Sequence, residues 1–292
     1  MKRPLPTYFN LDLQIGVYAG TSPSGLILKS IDNGLTFTNM GNVGHGNPTC
    51  FCQLTNGDLL YGTDTGYVVN YTQGTSVSVS VHGIRDIAYG YNGEVWVAYC
   101  EDDNGFFRSS SDNGGSWSYV FNGWLVNKII ITGTNYLLFS VSGVGVNGPN
   151  LVQAGNFTCA MDAGSGVLYA GDTSGHVWKS INYGAGWADL GDQTGSSNQI
   201  NTIIPANNGR IIIAVGDSIY YTDDNFVTIS SYIKIVVGDD IYPIILITGD
   251  ILIAGDNGGG IWRSIDNGLN WSGISGNPQQ GETSINCLIN IT

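Results

Sequence analysis

Residues 262–271 read WRSIDNGLNW, and the pattern returns as LKSIDNGLTF at 28–37, FRSSSDNGGSW at 107–117 and WKSINYGAGW at 178–187. The shared form is an aromatic or Leu, then Lys or Arg, then Ser-x-Asp/Asn-x-Gly-x-x-Trp/Phe. The repeated residues are Ser30, Asp32, Gly34 and Phe37; Ser110, Asp112, Gly114 and Trp117; Ser180, Asn182, Gly184 and Trp187; Ser264, Asp266, Gly268 and Trp271. An Asp or Asn at this place accepts backbone N–H groups two residues on and closes an Asx turn. The Gly supplies the positive φ that a tight hairpin needs. The closing Trp or Phe is expected to fold back over its hairpin onto a small apolar cluster. Alternating apolar residues before the turn make each unit strand–turn–strand.

Working outward, a second strand recurs upstream of each turn: GVYAGT (16–21), GDLLYGT (57–63), GEVWVAYCE (93–101), NYLLFSVS (135–142), GVLYAGD (166–172), GRIIIAVGD (209–217) and GDILIAGD (249–256). A third precedes it: TCFC (49–52), RDIAYG (85–90), KIIITG (128–133), TCAMDA (158–163), NTIIPA (201–206) and YPIILI (242–247), with NCLINIT (286–292) as the seventh. The offset predicts a ring in which the C-terminal strand completes the first unit, leaving no free sheet edge. Asp32 and Asp266 stand six repeats apart, a mean step of about 39 residues, as expected of four-stranded propeller blades. Three slots are degraded: around Thr72, near 147 and at Asp224. The expected fold is therefore an all-β, seven-bladed propeller in one domain over 1–292. Blade 1 takes about 14–46 plus 284–292, and blades 2–7 lie within 47–283. A six-bladed ring, with 124–155 as a long insertion, is the alternative.

The Ser-x-Asp-x-Gly-x-x-Trp pattern resembles the Asp-box (bacterial neuraminidase) repeat. That resemblance implies a β-propeller, the fold of sialidases, xyloglucan-degrading enzymes, sortilin-like receptors and a photosystem II assembly factor. It also implies that the boxes lie on outer hairpins, away from the usual active face.

Composition narrows the function classes. Charged residues are 11% of the chain, against about 25% in an average soluble protein, so Ser, Thr, Asn and Gly must cover much of the surface. The net charge of −13 repels phosphate backbones and anionic lipid surfaces, which argues against nucleic-acid binding. No apolar run reaches the ~20 residues of a membrane span. The opening Met1-Lys2-Arg3-Pro4 has basic residues with no apolar stretch after them, so no secretory leader is expected. A virion or cytoplasmic setting follows from that reading. Five Cys at irregular spacing show neither a disulfide framework nor a zinc pattern. Cys50, Cys159 and Cys287 align in the third strand type and read as small core residues.

Removing the repeat residues leaves few candidates. Trp124 has no repeat role; it is read either as an exposed ring for a sugar or partner or as a plug between blades. Glu101, Asp172, Asp217 and Asp256 align at the end of the second strand, on the face opposite the boxes, with Asp64 nearby and Asp102, Asp103 and Asp240 in loops of that face. Such carboxylates either hold a cation, sugar hydroxyls or an acid/base pair, or each cap their own turn. His45 and His82 lie in adjacent inter-blade loops, but two histidines without a third ligand do not define a metal site. No cofactor is expected, a cation at the acidic face being the exception. The three converging arginines of a sialidase are missing, since Lys29, Arg108, Lys179 and Arg263 are repeat residues and Arg3-Pro4-Leu5 is not Arg-x-Pro; sialidase activity is rejected. The reading is a non-enzymatic recognition or structural propeller, such as a capsid decoration, tail or fibre-associated virion protein, with protein partners or a glycan on the loop face. The alternatives are a glycoside hydrolase or lyase resembling the xyloglucan-degrading propellers, and an intracellular assembly factor.

Overall fold

The computed structural model describes residues 15–42, 44–90, 93–101, 104–132, 135–148, 150–230, 233–234, 239–274 and 282–291. Seven antiparallel four-stranded sheets are arranged in a ring, one per blade. The inner strands, in blade order, are Ser284–Ile291, Pro48–Gln53, Ile84–Tyr89, Val126–Thr132, Phe157–Gly164, Ile200–Pro205 and Ile241–Thr248. Each packs on the inner strand of both neighbouring blades. Blade 4, with strands Val126–Thr132, Asn135–Ser140, Gly143–Val146 and Leu151–Ala154, fills the degraded stretch, so the six-bladed count is excluded.

Closure falls where the sequence offset puts it. Ser284–Ile291 pairs antiparallel with Gly16–Ser22, from Gly16 opposite Ile291 to Ser22 opposite Ser284. The two ends of the described chain thereby share one sheet, and blade 1 has an inner strand in contact with blades 7 and 2.

Burial explains the strand composition. Second strands sit between inner and outer neighbours and between two blades, so Leu59–Thr63 and Ile211–Val215 are buried at every residue. Fourth strands face solvent, and Thr38–Asn42 carries TNMGN, largely exposed. Seven buried apolar clusters form, one at each interface between neighbouring blades. This burial between stacked sheets is the main driving force for assembly.

The repeated turn forms at the expected residues but not as an Asx turn: the N–H two residues past the Asp goes to the Ser hydroxyl, and the Asp accepts from the residue four on. In blade 3 the Ser110 hydroxyl donates to Asp112 Oδ1 at 2.7 Å and accepts from the Gly114 N–H at 2.8 Å. Asp112 Oδ1 accepts from Ser116 N–H, and its Oδ2 from the Ser116 hydroxyl at 2.6 Å. The same bonds recur around Asp32, Asn182 and Asp266, except that Gly186 brings no side-chain donor to Asn182. Trp187 and Trp271 fold back to donate Nε1 to the Gly184 and Gly268 carbonyls of their own hairpins, and all four closing aromatics also reach the neighbouring blade. Trp117 packs into the cluster shared with blade 2, Trp187 with blade 4, Trp271 with blade 6 and Phe37 with blade 7. The turns therefore staple each blade to the one before it.

Candidate functional site

The inner strands share a feature that positions a site. Opposite its second strand, each of the seven carries a register shift near its first residues: Pro48 pairs with Thr63 but Cys50 with Gly62, and Phe157 with Asp172 but Cys159 with Gly171. A β-bulge re-aims the side chain at the extra residue. The residues so placed are Asn286, Thr49, Arg85, Asn127, Thr158, Asn201 and Tyr242 in blades 1 to 7. All seven line one cavity of about 450 Å³ along the central channel. They stand at the end of the channel away from the Ser–Asp turns, because each inner strand's first residues pair with the end of the second strand. A second hollow of about 440 Å³ adjoins the first through Thr49, Tyr242 and Asn286, and takes in Asn47, Asp64 and Ser284.

These side chains are linked around the ring. Asn286 Nδ2 donates to the Pro48 carbonyl at 3.0 Å, and the Thr49 hydroxyl to the Ile84 carbonyl at 2.6 Å. Asn127 Nδ2 donates to the Phe157 carbonyl at 2.7 Å, and Thr158 to the Ile200 carbonyl at 2.5 Å. Each reaches the first residues of the next blade's inner strand. Arg85 departs from the pattern and donates from Nη1 to Asn127 Oδ1 at 2.7 Å. The belt opens after blade 6: Asn201 Nδ2 is out of water with no hydrogen-bond partner among the described residues, and the Tyr242 hydroxyl turns to Asp240 Oδ2 at 3.3 Å.

One residue deeper the wall carries Cys287, Cys50, Asp86, Lys128, Cys159, Thr202 and Pro243. Lys128 Nζ lies 3.1 Å from Asp86 Oδ1, while Asp86 Oδ2 accepts the Ile129 N–H at 2.7 Å. Burial opposes the charge on Lys128, but the adjacent Asp86 carboxylate outweighs it and raises the ammonium pKa. The thiols oppose glycines, Cys50 to Gly62, Cys159 to Gly171 and Cys287 to Gly20. A Cβ at those glycines would come within 2.9 Å of the sulfur. Burial pushes the Cys50 and Cys159 thiols up to about 12, so they stay protonated and act as packing groups.

The acidic series is not a ring of free carboxylates. Asp172 Oδ1 accepts the N–H groups of Ser174 and His176, and its Oδ2 accepts Trp178 Nε1 at 2.9 Å. Asp256 does the same with Gly258, Gly260 and Trp262 Nε1 at 2.7 Å. The alignment of Glu101 and Asp217 with them is corrected. Asp172 and Asp256 face the first residue of their inner strands, but Tyr99 and Val215 hold that position in blades 3 and 6. Blade 6 turns on Gly216 and Asp217 alone, with Val215 paired to Ser218, which carries the Asp past the strand end. Asp217 there accepts the Ser218 hydroxyl, and Asp64 accepts from Asn47 through both oxygens. Asp240 N–H donates to Asn257 Oδ1. Glu101 ends its strand, and Asp102 and Asp103 lie outside the described residues.

Trp124 is half-buried against Ala98, Phe107, Val126, Ile129 and Leu138, at the blade 3–4 interface, and does not line the channel. His45 stacks on Tyr67 with ring centroids 4.7 Å apart and bonds the Ser76 hydroxyl through Nε2; His82 N–H bonds the Ser80 hydroxyl. Among the described residues no group of three or more His, Cys, Asp or Glu side chains is placed to hold a metal ion. The bulge residues follow the first apolar residue of each inner strand as a polar or aromatic residue, a pattern that a plain strand face carries equally well, so residue type alone does not single them out.

No protein-family profile matches the chain, and no curated protein sequence matches it. Solved structures do. A protein from Lactobacillus plantarum superposes with a TM-score of 0.71 at 12% identity, over 96% of this chain and all of its own. The WD40 propeller domain of Doa1 superposes at 0.63 and 10% identity, over 90% of this chain and 91% of that one. YCF48 bound to D1 peptide superposes at 0.56 and 13% identity, over 93% and 87%. The likeness is one of fold. It agrees with the propeller described above, and no helix of the described residues is long and apolar enough to cross a membrane.

Proposed function

We propose that the chain is a non-catalytic recognition propeller that receives a segment of a partner protein at the channel mouth. The observation that carries this reading is the repeated bulge, which turns seven side chains of four kinds, Asn, Thr, Arg and Tyr, into one cavity on one face. A rigid ring that varies its rim is suited to recognition. The carboxylates on that face support it: Asp172 and Asp256 already accept N–H donors from their own turns, whereas a glycosidase needs two opposed carboxyl groups about 5–9.5 Å apart and open to a sugar. Among solved propellers of this shape, YCF48 carries a bound D1 peptide.

The test is to probe the purified chain on a peptide array and a glycan array in parallel, beside an Asn286→Trp variant that fills the mouth. Binding to a sequence-defined set of peptides, lost in the variant, is the expected result. Binding to glycans alone, or peptide binding that the variant leaves intact, would overturn the reading. The setting on a virus particle rests on composition and is tested by the identity of the neighbouring genes.

A further inference from the structure

The described cations are nearly all committed. Lys29 and Lys179 lie over the rings of Tyr18 and Tyr169, both at 5.3 Å, and Arg108 lies over Tyr99. Arg210 pairs with Asp223 at 2.7 Å, and Arg263 Nε donates to the Asn33 carbonyl. Arg85 differs: among the described residues it pairs with no carboxylate, ring or main-chain carbonyl, and its one side-chain hydrogen bond is to the Asn127 amide oxygen. It is exposed, at the mouth of the channel.

Three charged side chains line this cavity: Arg85, Lys128 and Asp86. Both oxygens of Asp86 are taken, by Lys128 and by the Ile129 N–H. The wall therefore holds one positive charge in excess, in a chain whose net charge is −13. Walls of low dielectric focus that charge into the cavity. Asn201 Nδ2 adds a desolvated donor without an acceptor among the described residues in the same wall, a state that is unfavourable unless a ligand relieves it.

We infer that the channel mouth binds a carboxylate group of the partner polypeptide, an acidic side chain or a free C-terminus, with the Arg85 guanidinium as its principal contact. This rests on the reading above that a protein segment enters the mouth. A monoanion matches the single excess charge; a dianionic phosphate would be repelled more strongly by the acidic surface. Guanidinium presents a planar fork that a carboxylate meets with two parallel hydrogen bonds. Phe51, Ile204 and Leu288 in the same wall offer apolar contact to the chain around the acid. The surrounding charge selects a lone carboxylate on an otherwise neutral or basic segment.

The experiment uses fluorescein-labelled short peptides of Ala, Ser, Gly and Leu that carry one Glu or one Gln, each made as the C-terminal acid and as the amide. At about 50 mM salt the peptides with a carboxylate are expected to bind roughly tenfold tighter than their Gln or amide counterparts, with the preference shrinking as salt is raised. Arg85→Gln should abolish the preference, Arg85→Lys should keep part of it, and Arg263→Gln should keep all of it. Arg85 is exposed, so the thermal melt of the Gln variant should match wild type. Equal binding of Glu and Gln peptides by wild type, or a preference that survives Arg85→Gln, overturns the inference. If those equal-binding peptides are displaced by Asn286→Trp, recognition at the mouth stands without the carboxylate; if no peptide binds, both readings fall.

Discussion

Gly184 shows how a turn residue comes to serve two constraints. Its φ is +84°, which a side chain resists, and a Cβ there would stand 2.0 Å from Leu137 Cδ2 of the preceding blade. Gly184→Ala should therefore lose about 2–4 kcal/mol, from overpacking added to backbone strain, read as a lower urea midpoint at unchanged slope. The carboxylates of these turns make a second prediction. The Ser116 hydroxyl, then the Ser110 hydroxyl and the Ser116 N–H, hold Asp112 at about 2, and at Asp32 the equivalent bonds outweigh burial to the same result. A folded pKa below the ordinary 3.8 gives stability that is complete above that value and is lost as pH falls through the folded one. The melting temperature should hold down to about pH 4 and drop toward pH 2. Blade 5 builds the same turn on Asn182, which does not titrate. Asp112→Asn should thus keep most of its stability at neutral pH and flatten the acid limb of the curve.

At the scale of the element, blade 6 carries a turn that its sequence conceals. The Thr222 hydroxyl donates to Asp224 Oδ1 and accepts from Phe226 N–H, and Asp224 accepts from both the N–H and the hydroxyl of Thr228. Thr replaces Ser, and Phe226 stands at φ +68° where the other blades have Gly, its ring 5.4 Å from Tyr169 of blade 5. Asp224→Ala should then lower the urea midpoint as much as Asp112→Ala does, despite the poor match to the repeat. Strand order, blade number and closure were legible because a Ser–Asp turn and a period-2 apolar pattern are local physics that residue types report directly. In blade 4 the first two strands were legible but the turn was not, since the turn around Asn147, bonded to Asn135 and to the Tyr136 N–H, uses other residues. The channel mouth was not legible. A bulge depends on pairing between strands, and the type of Thr49 or Asn127 is equally at home on a plain strand face. The acidic alignment failed for a related reason: Gly-Asp after an apolar run looks alike whether the hairpin that follows is the two-residue turn of blade 6 or the wider ones of blades 5 and 7.

For the whole molecule, stability is a property of the closed ring. Every blade buries its faces against two neighbours, so an open ring would expose two blade faces and a sheet edge at once. The strand Ser284–Ile291 closes it: Ile285 is buried with Ile253 of blade 7, and Ile291 with Tyr61 of blade 2. A chain ending at 283 should lose its cooperative melt and its near-ultraviolet circular dichroism, because blade 1 would lack the strand through which both neighbours contact it. The opposite manipulation should be tolerated. Gly16 and Ile291 are paired neighbours, so joining them through a short Gly-rich linker turns the closing strand and its partner into an ordinary hairpin. New termini can then be opened at Gly123, between blades 3 and 4, where a Cβ would meet nothing within 4 Å. Such a permutant keeps every sheet and replaces a closure spanning the whole chain with a local one, at lower entropic cost. It should refold faster than the parent in stopped-flow fluorescence, with a melting temperature at least as high. A permutant that failed to fold while the parent folded would mean that the order in which blades form, and not the closed ring alone, decides the native state.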